Sequence, residues 1–214
     1  MSRVVVIGGH GKIALRLSRL LTQAGHEVTG WVRNPTHRSD VDATGAKAEV
    51  HDVEQMSVDE LAEFLGGHDA VVWSAGAGGG TPERTYAVDR DAATRSMDAA
   101  ETVGVSRYVM VSYFGAGADH GVAQDNPFHA YAQAKAAADT HLRSTDLSWT
   151  ILAPSSLVDG PGTGRIETGS GVQSSEVTRD DVAAVAAYVI EHPRTAGRTI
   201  AFNNGDTAIA DALA

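Results

Sequence analysis

The 214-residue sequence contains no cysteine, and this absence excludes several classes of protein. A disulfide-stabilised scaffold, a zinc ribbon, a thiolate-bound cluster and a cysteine nucleophile all need side chains that are missing here. Basic residues are also scarce, because 17 Lys and Arg stand against 27 Asp and Glu and give a formal net charge of −10. Such an acidic surface repels phosphate backbones, so we expect no binding to nucleic acid.

Long hydrophobic runs are missing as well. No apolar stretch approaches the roughly 20 residues that cross a bilayer, and residues 1–3 lead directly into Val4–Ile7 without room for a signal peptide. We therefore expect a cytoplasmic protein that does not bind membranes. The length suits one domain with a large core. No linker or internal repeat divides the chain, so residues 1–214 are expected to form a single domain.

Short apolar runs rich in β-branched residues recur along the chain. Runs that are continuous rather than alternating are typical of strands in a parallel sheet that is covered on both faces. The runs are Val4–Ile7, Val28–Val32, Ala70–Trp73, Tyr108–Val111, Trp149–Leu152 and Thr199–Phe202, with a weaker one at Ala46–Val50.

Segments with helical periodicity separate these runs. They cover residues from about Ile13 to Leu21, Val58 to Leu65, Pro82 to Val103, Pro127 to Arg143 and Arg179 to Glu191. The alternation of strand and helix predicts an α/β fold with a doubly wound parallel sheet, the Rossmann fold. Its expected strand order is 3-2-1-4-5-6, followed by a seventh parallel strand. The remaining Gly/Ser/Thr-rich segment 155–177 is expected to be a flexible loop on the substrate side.

A glycine-rich turn follows the first predicted strand directly. Gly8, Gly11 and Ala14 have the spacing G-x-x-G-x-x-A. A dinucleotide-binding turn needs positive φ at one residue, no side chain where the pyrophosphate approaches and a small residue where the helix packs on the strand. The helix amino terminus then offers free N–H groups to the phosphates. Glycine-rich turns also occur for structural reasons alone, but this position at the first strand–helix junction favours a nucleotide.

The end of the second strand bears on the choice of nucleotide. Folds specific for NAD carry an acidic residue here for the adenosine ribose, whereas an arginine binds the 2′-phosphate of NADP. Trp31, Val32 and Arg33 include no acid, so NADP is favoured over NAD, with Lys12 and Arg38 as weaker helpers. The alternative is that Arg33 is only a solvated charge at a strand end.

Two later strand ends complete the predicted nucleotide site. Asp52 and Val53 follow the third strand, where a carboxylate can accept a hydrogen bond from the adenine amino group. Ser74, Ala75 and Gly76 follow the fourth strand, where small residues let the backbone pass close to a nucleotide. An isolated surface Asp and an ordinary flexible loop are the structural alternatives.

The pattern Tyr131-x-x-x-Lys135 in a predicted helix is the most specific chemical signal. Residues four apart share one helix face, so the phenol and the ammonium point the same way. A nearby positive charge is expected to lower the pKa of the tyrosine toward a value useful in acid–base catalysis. Ser112, at the end of the fifth strand, is expected to place a hydroxyl at the same site. The nine histidines show no metal-ligand spacing, and no metal site is expected.

These motifs together make the chain resemble an atypical short-chain dehydrogenase/reductase. More narrowly, it is similar to the subgroup of NAD(P)-binding proteins described as NAD-dependent epimerase/dehydratase-like or NmrA-like. Beyond the glycine-rich turn, the resemblance covers nearly the whole chain. It is carried by Tyr86–Asp89, Tyr108–Ser112, Ile151–Pro154, Thr178–Ala183 and Asn204–Thr207.

The resemblance implies a role for each residue of a catalytic tetrad. Ser112 would orient and polarise a carbonyl, Tyr131 would be the general acid/base, and Lys135 would bind the nicotinamide ribose. Asp89 stands where the family usually has asparagine. It could instead cap a helix or pair with Arg90 or Arg107. The predicted cofactor-binding residues are Gly8, His10, Gly11, Lys12, Ile13, Arg33, Asp52, Val53, Ser74, Ala75, Gly76, Lys135 and Pro154.

Three functions are compatible with this sequence. The first is an NADP-dependent oxidoreductase that acts on a small carbonyl or alcohol substrate. The second is a regulatory protein or redox sensor that binds NAD(P) without turnover, and the third is a flavin or quinone reductase that does not use the tyrosine. A nucleotide-sugar epimerase is not expected, because segment 155–177 is too small to form the cap that holds a second nucleotide.

Overall fold

The computed structural model describes residues 1–214 and builds them around one nine-stranded sheet. A separate two-stranded sheet, β7 with β9, lies beside it. The eleven strands are β1 Arg3–Ile7, β2 Glu27–Val32, β3 Lys47–Val50, β4 Ala70–Trp73, β5 Arg107–Val111, β6 Ser148–Pro154, β7 Ser156–Val158, β8 Arg165–Thr168, β9 Glu176–Thr178, β10 Arg198–Asn204 and β11 Thr207–Ala208.

The parallel part of the large sheet has the predicted order. Its strands run β3-β2-β1-β4-β5-β6-β10, each parallel to its neighbour. The Rossmann-type α/β fold and the seventh parallel strand are therefore confirmed. The order reverses between β1 and β4, and ligands of such folds bind outside the carboxyl ends of the strands at this point.

Helices connect the strands and cover both faces of the sheet. None of them is both long and apolar enough to span a membrane. They are α1 Lys12–Gln23, α2 Arg38–Asp42, α3 Val58–Leu65, α4 Pro82–Thr85, α5 Ala93–Thr102, α6 His129–Ser144, α7 Arg179–Glu191 and α8 Ile209–Ala212. A π-helical segment, Tyr86–Ala92, joins α4 to α5 without a break, and short 3₁₀ turns occupy Pro35–His37 and Pro193–Thr195.

The hydrophobic core has two parts, one on each face of the sheet. Val4 and Val6 of β1 pack with α1, α2 and α7, whereas Val5 and Ile7 pack with α3, α5 and α6 on the other face. Successive side chains of a strand point to opposite faces. A strand buried on both faces must therefore be apolar at every position, which explains the continuous runs in the sequence.

Segment 155–177 differs from the flexible loop that the sequence predicts. β7 and the start of β9 pair with each other, and β8 adds to the large sheet as an antiparallel neighbour of β10 and β11. Only the residues between these strands are irregular. The expectation failed because glycine richness is a local signal, while the pairing partners of these strands lie twenty or more residues away in the sequence.

Candidate functional site

The glycine-rich turn forms the floor of a cavity of about 450 Å³ at the carboxyl ends of β1, β2 and β4. Nine predicted cofactor-binding residues line it: Gly8, His10, Gly11, Arg33, Asp52, Val53, Ser74, Ala75 and Gly76. Their convergence follows from the topology, because neighbouring parallel strands end at the same edge of the sheet.

Gly8 has the backbone conformation that the turn requires. Its φ is +87°, and a Cβ on it would lie 2.5 Å from the Cα of Ala75. The N–H groups of Gly8 and Gly9 both donate to the carbonyl of Trp31, at 3.2 and 2.8 Å. These contacts hold the turn against the ends of β2 and β4, so that a side chain at Gly8 would be both strained and sterically blocked.

The amino terminus of α1 fits an anionic ligand. Gly11 is the N-cap residue and offers no side chain to the first helical turn, which also contains no acidic residue. The first-turn N–H groups of a helix have no partners within the helix, and the helix dipole favours negative charge there. The residues present therefore suit the pyrophosphate of a dinucleotide.

Arg33 lies at the end of this cavity near Asp52, but it is not free. Its guanidinium is 3.2 Å from the carboxylate of Glu54, which also pairs with Arg84 at 3.5 Å. The Arg95 guanidinium donates to the carbonyls of Val53 and Glu54, both at 3.1 Å, and so fixes the loop that follows β3. Sequence reasoning missed Glu54, in the loop after β3, and Arg84, in α4, since both lie outside the motifs.

A histidine pair lies in the same wall as Arg33. His10 and His37 stack with ring centroids 3.6 Å apart, and His10 Nε2 is 2.8 Å from an oxygen of Asp40. His37 belongs to the 3₁₀ turn and Asp40 to α2, an element that the sequence analysis did not predict. The side of the cavity next to Arg33 is therefore built by the connection between β2 and β3.

A second cavity, of about 370 Å³, opens at the carboxyl ends of β5 and β6. Ser112 and Tyr131 both line it, so the structure brings these two predicted catalytic residues together. The other residues in its wall are Tyr113, Phe114, Phe128, Pro154, Ser155, Ser156, Leu157 and Ser174. Pro154, predicted for the cofactor, thus lies in the wall of this cavity rather than the first.

The hydroxyl of Ser112 donates a hydrogen bond to a buried carboxylate, that of Asp139. Ser112 Oγ is 2.6 Å from Asp139 Oδ2, and neither residue is exposed to more than a few per cent. Asp139 follows Lys135 by four residues, as Lys135 follows Tyr131, so all three lie on one face of α6. The sequence analysis missed Asp139, although this continued spacing of four was the signal that could have found it.

The pKa of Tyr131 is raised rather than lowered, contrary to the sequence-based expectation. Burial is the main cause, and the carboxylates of Asp89 and Asp139 add to it because they disfavour a phenolate. Nothing in the sequence indicated the burial of the phenol, which is the largest cause, and Asp139 was not predicted to lie near it. With this pKa the Tyr131 phenol retains its proton at neutral pH.

Lys135 is buried and hydrogen-bonded to the protein. Its ammonium donates to the carbonyl of Val111 at 2.8 Å and contacts the sulfur of Met110 at 3.0 Å. Burial lowers the pKa of Lys135, while Asp139 and Asp89 act in the opposite direction. Lys135 lines neither cavity, so the structure does not place it in a nucleotide-binding wall.

Asp89 connects the two cavities. Its carboxylate accepts a hydrogen bond from the N–H of Ala77, at 2.9 Å, in the wall of the first cavity, and it influences Tyr131 in the second. Burial raises the pKa of Asp89, whereas the Ala77 N–H and the charge of Lys135 lower it. Asp89 does not pair with Arg90 or Arg107: Arg90 binds Asp91, and Arg107 binds the carbonyl of Ser148.

Two other predicted cofactor residues lie outside both cavities. The Lys12 ammonium is 3.0 Å from the carboxylate of Asp159, in segment 155–177, and Ile13 is buried in the core. Asp159 also pairs with Arg179 at 3.1 Å. Lys12 therefore connects the start of α1 to segment 155–177.

Comparison with known proteins agrees with this architecture. A family model for NAD(P)H-binding proteins matches residues 8–193. The uncharacterized sugar epimerase YhfK of Bacillus subtilis is 33% identical over 99% of this chain and 98% of its own length.

Two solved structures are similar over more than nine-tenths of their length. A Bacillus halodurans protein described as an NAD-dependent epimerase/dehydratase superposes with a TM-score of 0.91, at 31% identity, over 100% of this chain and 99% of its own. The oxidoreductase ylbE of Lactococcus lactis gives a TM-score of 0.88 at 28% identity, over 99% of this chain and 94% of its own.

Proposed function

Because the chain belongs to the family of NAD(P)H-binding proteins, we propose that it is an NADP-dependent oxidoreductase acting on a small carbonyl or alcohol substrate. The observation that carries this proposal is the shared cavity of Ser112 and Tyr131, next to the nucleotide-binding cleft. A hydroxyl and a phenol in one wall can bind and protonate a carbonyl oxygen.

The first cavity supplies the binding groups for the nucleotide. The N–H groups at the start of α1 would hold the pyrophosphate, Asp52 would accept from the adenine amino group, and Arg33 would bind the 2′-phosphate. When bound, NADPH would supply a hydride to the substrate carbonyl carbon. The small residues Ser74–Gly76 leave room beside the nucleotide, and Asp89 fixes the adjoining backbone through Ala77.

The second cavity supplies the acid–base chemistry. Tyr131, which keeps its proton at neutral pH, would donate that proton to the carbonyl oxygen during reduction. Ser112 would orient the same oxygen, but its hydroxyl hydrogen points to Asp139 whenever that carboxyl is ionised. Burial raises the pKa of Asp139. A protonated Asp139 would donate to Ser112 Oγ and leave the serine hydrogen available for the substrate.

Replacement of Tyr131 by phenylalanine tests this proposal. The change Tyr131→Phe keeps the ring and removes the transferable proton, so turnover should fall by roughly 10²–10⁴-fold while NADPH binding is retained. The measurement is NADPH oxidation, followed optically, over a panel of aldehydes, ketones, quinones and flavins. Tyr188→Phe is the control, since Tyr188 lies on α7 outside both cavities.

The outcome of the same assay separates the alternative functions. Unchanged turnover in Tyr131→Phe would favour a reductase that does not use the tyrosine. Absence of turnover by the wild type, with tight NADP(H) binding, would favour a binding protein. A specific observation supports the latter candidate. Lys135 is hydrogen-bonded to Val111, Ser112 to Asp139 and Asp89 to Ala77, so three of the four predicted catalytic groups already have protein partners.

A further inference from the structure

The second cavity contains no charged side chain in its wall. Its polar groups are the hydroxyls of serines and tyrosines, and the rest of the wall is aromatic or aliphatic. The charged groups that act on Tyr131 in this wall, Asp89 and Asp139, are carboxylates, and the ammonium of Lys135 is directed to the backbone of β5. A carboxylate or phosphate placed here would lose its hydration without gaining a cationic partner, which is costly.

One side of this cavity is formed by three aromatic rings. The ring centroids of Tyr113, Phe128 and Tyr131 lie 5.1–5.6 Å from one another, in tilted and edge-on orientations. Aromatic ligands gain from offset and edge-to-face contacts with such rings, in addition to the gain from apolar burial. Phe128 and Leu157 are among the few large hydrophobic side chains that are exposed, and both belong to this wall.

The other side of the cavity is polar but neutral. Ser155 and Ser174 hydrogen-bond each other at 3.2 Å, and Ser155 also bonds to the buried side chain of Asn203. The Tyr113 hydroxyl is buried and has no hydrogen-bond partner in the protein. A neutral ligand with one or two oxygen atoms could satisfy such groups.

From these observations we infer that the substrate is an uncharged carbonyl compound whose carbonyl is conjugated to an aromatic or similarly planar group. In the reaction, the carbonyl carbon gains a hydride from NADPH, which is oxidised to NADP⁺. The carbonyl oxygen gains the phenolic proton of Tyr131, which solvent replaces, and the product is the corresponding alcohol. The inference rests on the proposed function for the reaction, whereas the preference for a neutral, planar ligand follows from the cavity itself.

Three ketones of similar size test the inference. Acetophenone is neutral and aromatic, 4-acetylbenzoate adds a carboxylate, and cyclohexyl methyl ketone removes the aromaticity. With NADPH, we expect kcat/KM for acetophenone to exceed that for 4-acetylbenzoate by at least about tenfold. It should exceed that for the alicyclic ketone by about 2- to 10-fold. Equal or better use of 4-acetylbenzoate by the wild type would overturn the inference.

A charge added to the wall provides a second test. In Leu157→Lys, a cation lies where a carboxylate would need one, so the ratio of kcat/KM for 4-acetylbenzoate to that for acetophenone should rise by about tenfold. Leu20→Lys is the matched control, because Leu20 on α1 is as exposed as Leu157 (38% each) and lies in neither cavity. An unchanged ratio in Leu157→Lys, or an equal change in Leu20→Lys, would contradict the inference.

Binding measurements separate this inference from the proposed function. Ligand-observed NMR gives the affinity of the three ketones for the protein with NADP⁺, without any turnover. If acetophenone binds best and none of the ketones is reduced, the preference for neutral aromatic ligands stands and the oxidoreductase proposal fails. If ketones are reduced without this order of affinity, the function stands and the inference fails. Absence of binding by all three ketones also overturns the inference.

Discussion

At the scale of single residues, the environment of Tyr131 is set by carboxylates as much as by Lys135. Asp89 and Asp139 approach Tyr131 from two elements, the π-helical segment and α6, and both disfavour its phenolate. The ammonium of Lys135 donates a hydrogen bond to the carbonyl of Val111. Tyr131 therefore stays protonated at neutral pH, as the proposed reduction of a carbonyl requires.

The first residue-scale prediction concerns Asp89→Asn. Removing a carboxylate near Tyr131 stabilises the phenolate and lowers the pKa of the tyrosine. In the direction of alcohol oxidation Tyr131 must be deprotonated, so the rate rises with pH, and this ascending limb of the pH–rate profile should shift to lower pH in the variant. NADPH binding should change little. Asp91→Asn is the control, because Asp91 lies in the same π-helical segment but pairs with Arg90. Superimposable profiles for wild type and Asp89→Asn would mean that the carboxylate does not act on Tyr131.

The second residue-scale prediction concerns the choice between NADP and NAD. Loss of the guanidinium in Arg33→Ala should weaken NADPH binding by about 1.5–3 kcal/mol, the range for a hydrogen bond to a charged group, and leave NADH binding nearly unchanged. Glu54 competes for this guanidinium at 3.2 Å, so Glu54→Gln should instead strengthen NADPH binding. Titration of NADPH and NADH into the wild type, Arg33→Ala and Glu54→Gln measures these affinities. Equal NADPH affinity in wild type and Arg33→Ala would exclude the role of Arg33.

At the scale of elements, the π-helical segment Tyr86–Ala92 has the clearest consequence for the site. Its wider turns break the regular spacing of a helix that otherwise runs from Pro82 to Thr102. The segment directs Asp89 into the protein, where only 1% of the residue is exposed and its carboxylate reaches Ala77. π-helical segments often occur at functional sites, because they place a side chain where a regular helix would not.

The element-scale prediction concerns segment 155–177. Its β8 strand belongs to the main sheet and should exchange its amide hydrogens slowly in the free protein. The irregular residues 169–174 should exchange rapidly, and they should become protected with NADP⁺ and a bound ketone, because Ser174 lines the second cavity, where we propose that the substrate binds. Hydrogen exchange measured by mass spectrometry checks this. Slow exchange of residues 169–174 in the free protein would contradict their role as a mobile cover.

The ion pairs of Asp159 offer a way to alter that segment. Asp159 links it to Lys12 and Arg16 of α1 and to Arg179 at the start of α7. In Asp159→Asn these attractions weaken, so the amides around residues 159–162 should exchange faster than in the wild type. Asp211→Asn, on α8 outside this cluster, is the control and should leave that exchange unchanged. Identical exchange in Asp159→Asn and wild type would mean that the ion pairs do not hold the segment.

At the scale of the whole molecule, the two cavities share one edge of one sheet. The strand order places the ends of β1, β2 and β4 under the first cavity and the ends of β5 and β6 under the second. Asp89 interacts with both cavities. It accepts a hydrogen bond from the N–H of Ala77 in the wall of the first, and it raises the pKa of Tyr131 in the wall of the second. The formal net charge of −10 adds a general repulsion of anions to the absence of cations in the second cavity.

Much of the fold and of the lining of the first cavity was predictable from the sequence. The parallel strands were evident because burial on both faces demands apolar residues at every position, as in Val4–Ile7 and Ala70–Trp73. The glycine-rich turn was evident because only glycine accepts the conformation and the close packing at Gly8. The strands of segment 155–177 were not predictable from the sequence, because short strands depend on pairing partners that are distant along the chain.

The sequence by itself determined the parallel strands, the long helices between them and which strand ends converge, because apolar periodicity and glycine positions are local properties of the chain. Only the tertiary structure decided the electrostatics of the site. Burial and the positions of Asp89 and Asp139 raise the pKa of Tyr131, although the sequence spacing to Lys135 alone suggested the opposite. The tertiary structure likewise paired Arg33 with Glu54 and Ser112 with Asp139. The physical reason is that desolvation and charge–charge interactions depend on distances in space, which sequence separation does not fix.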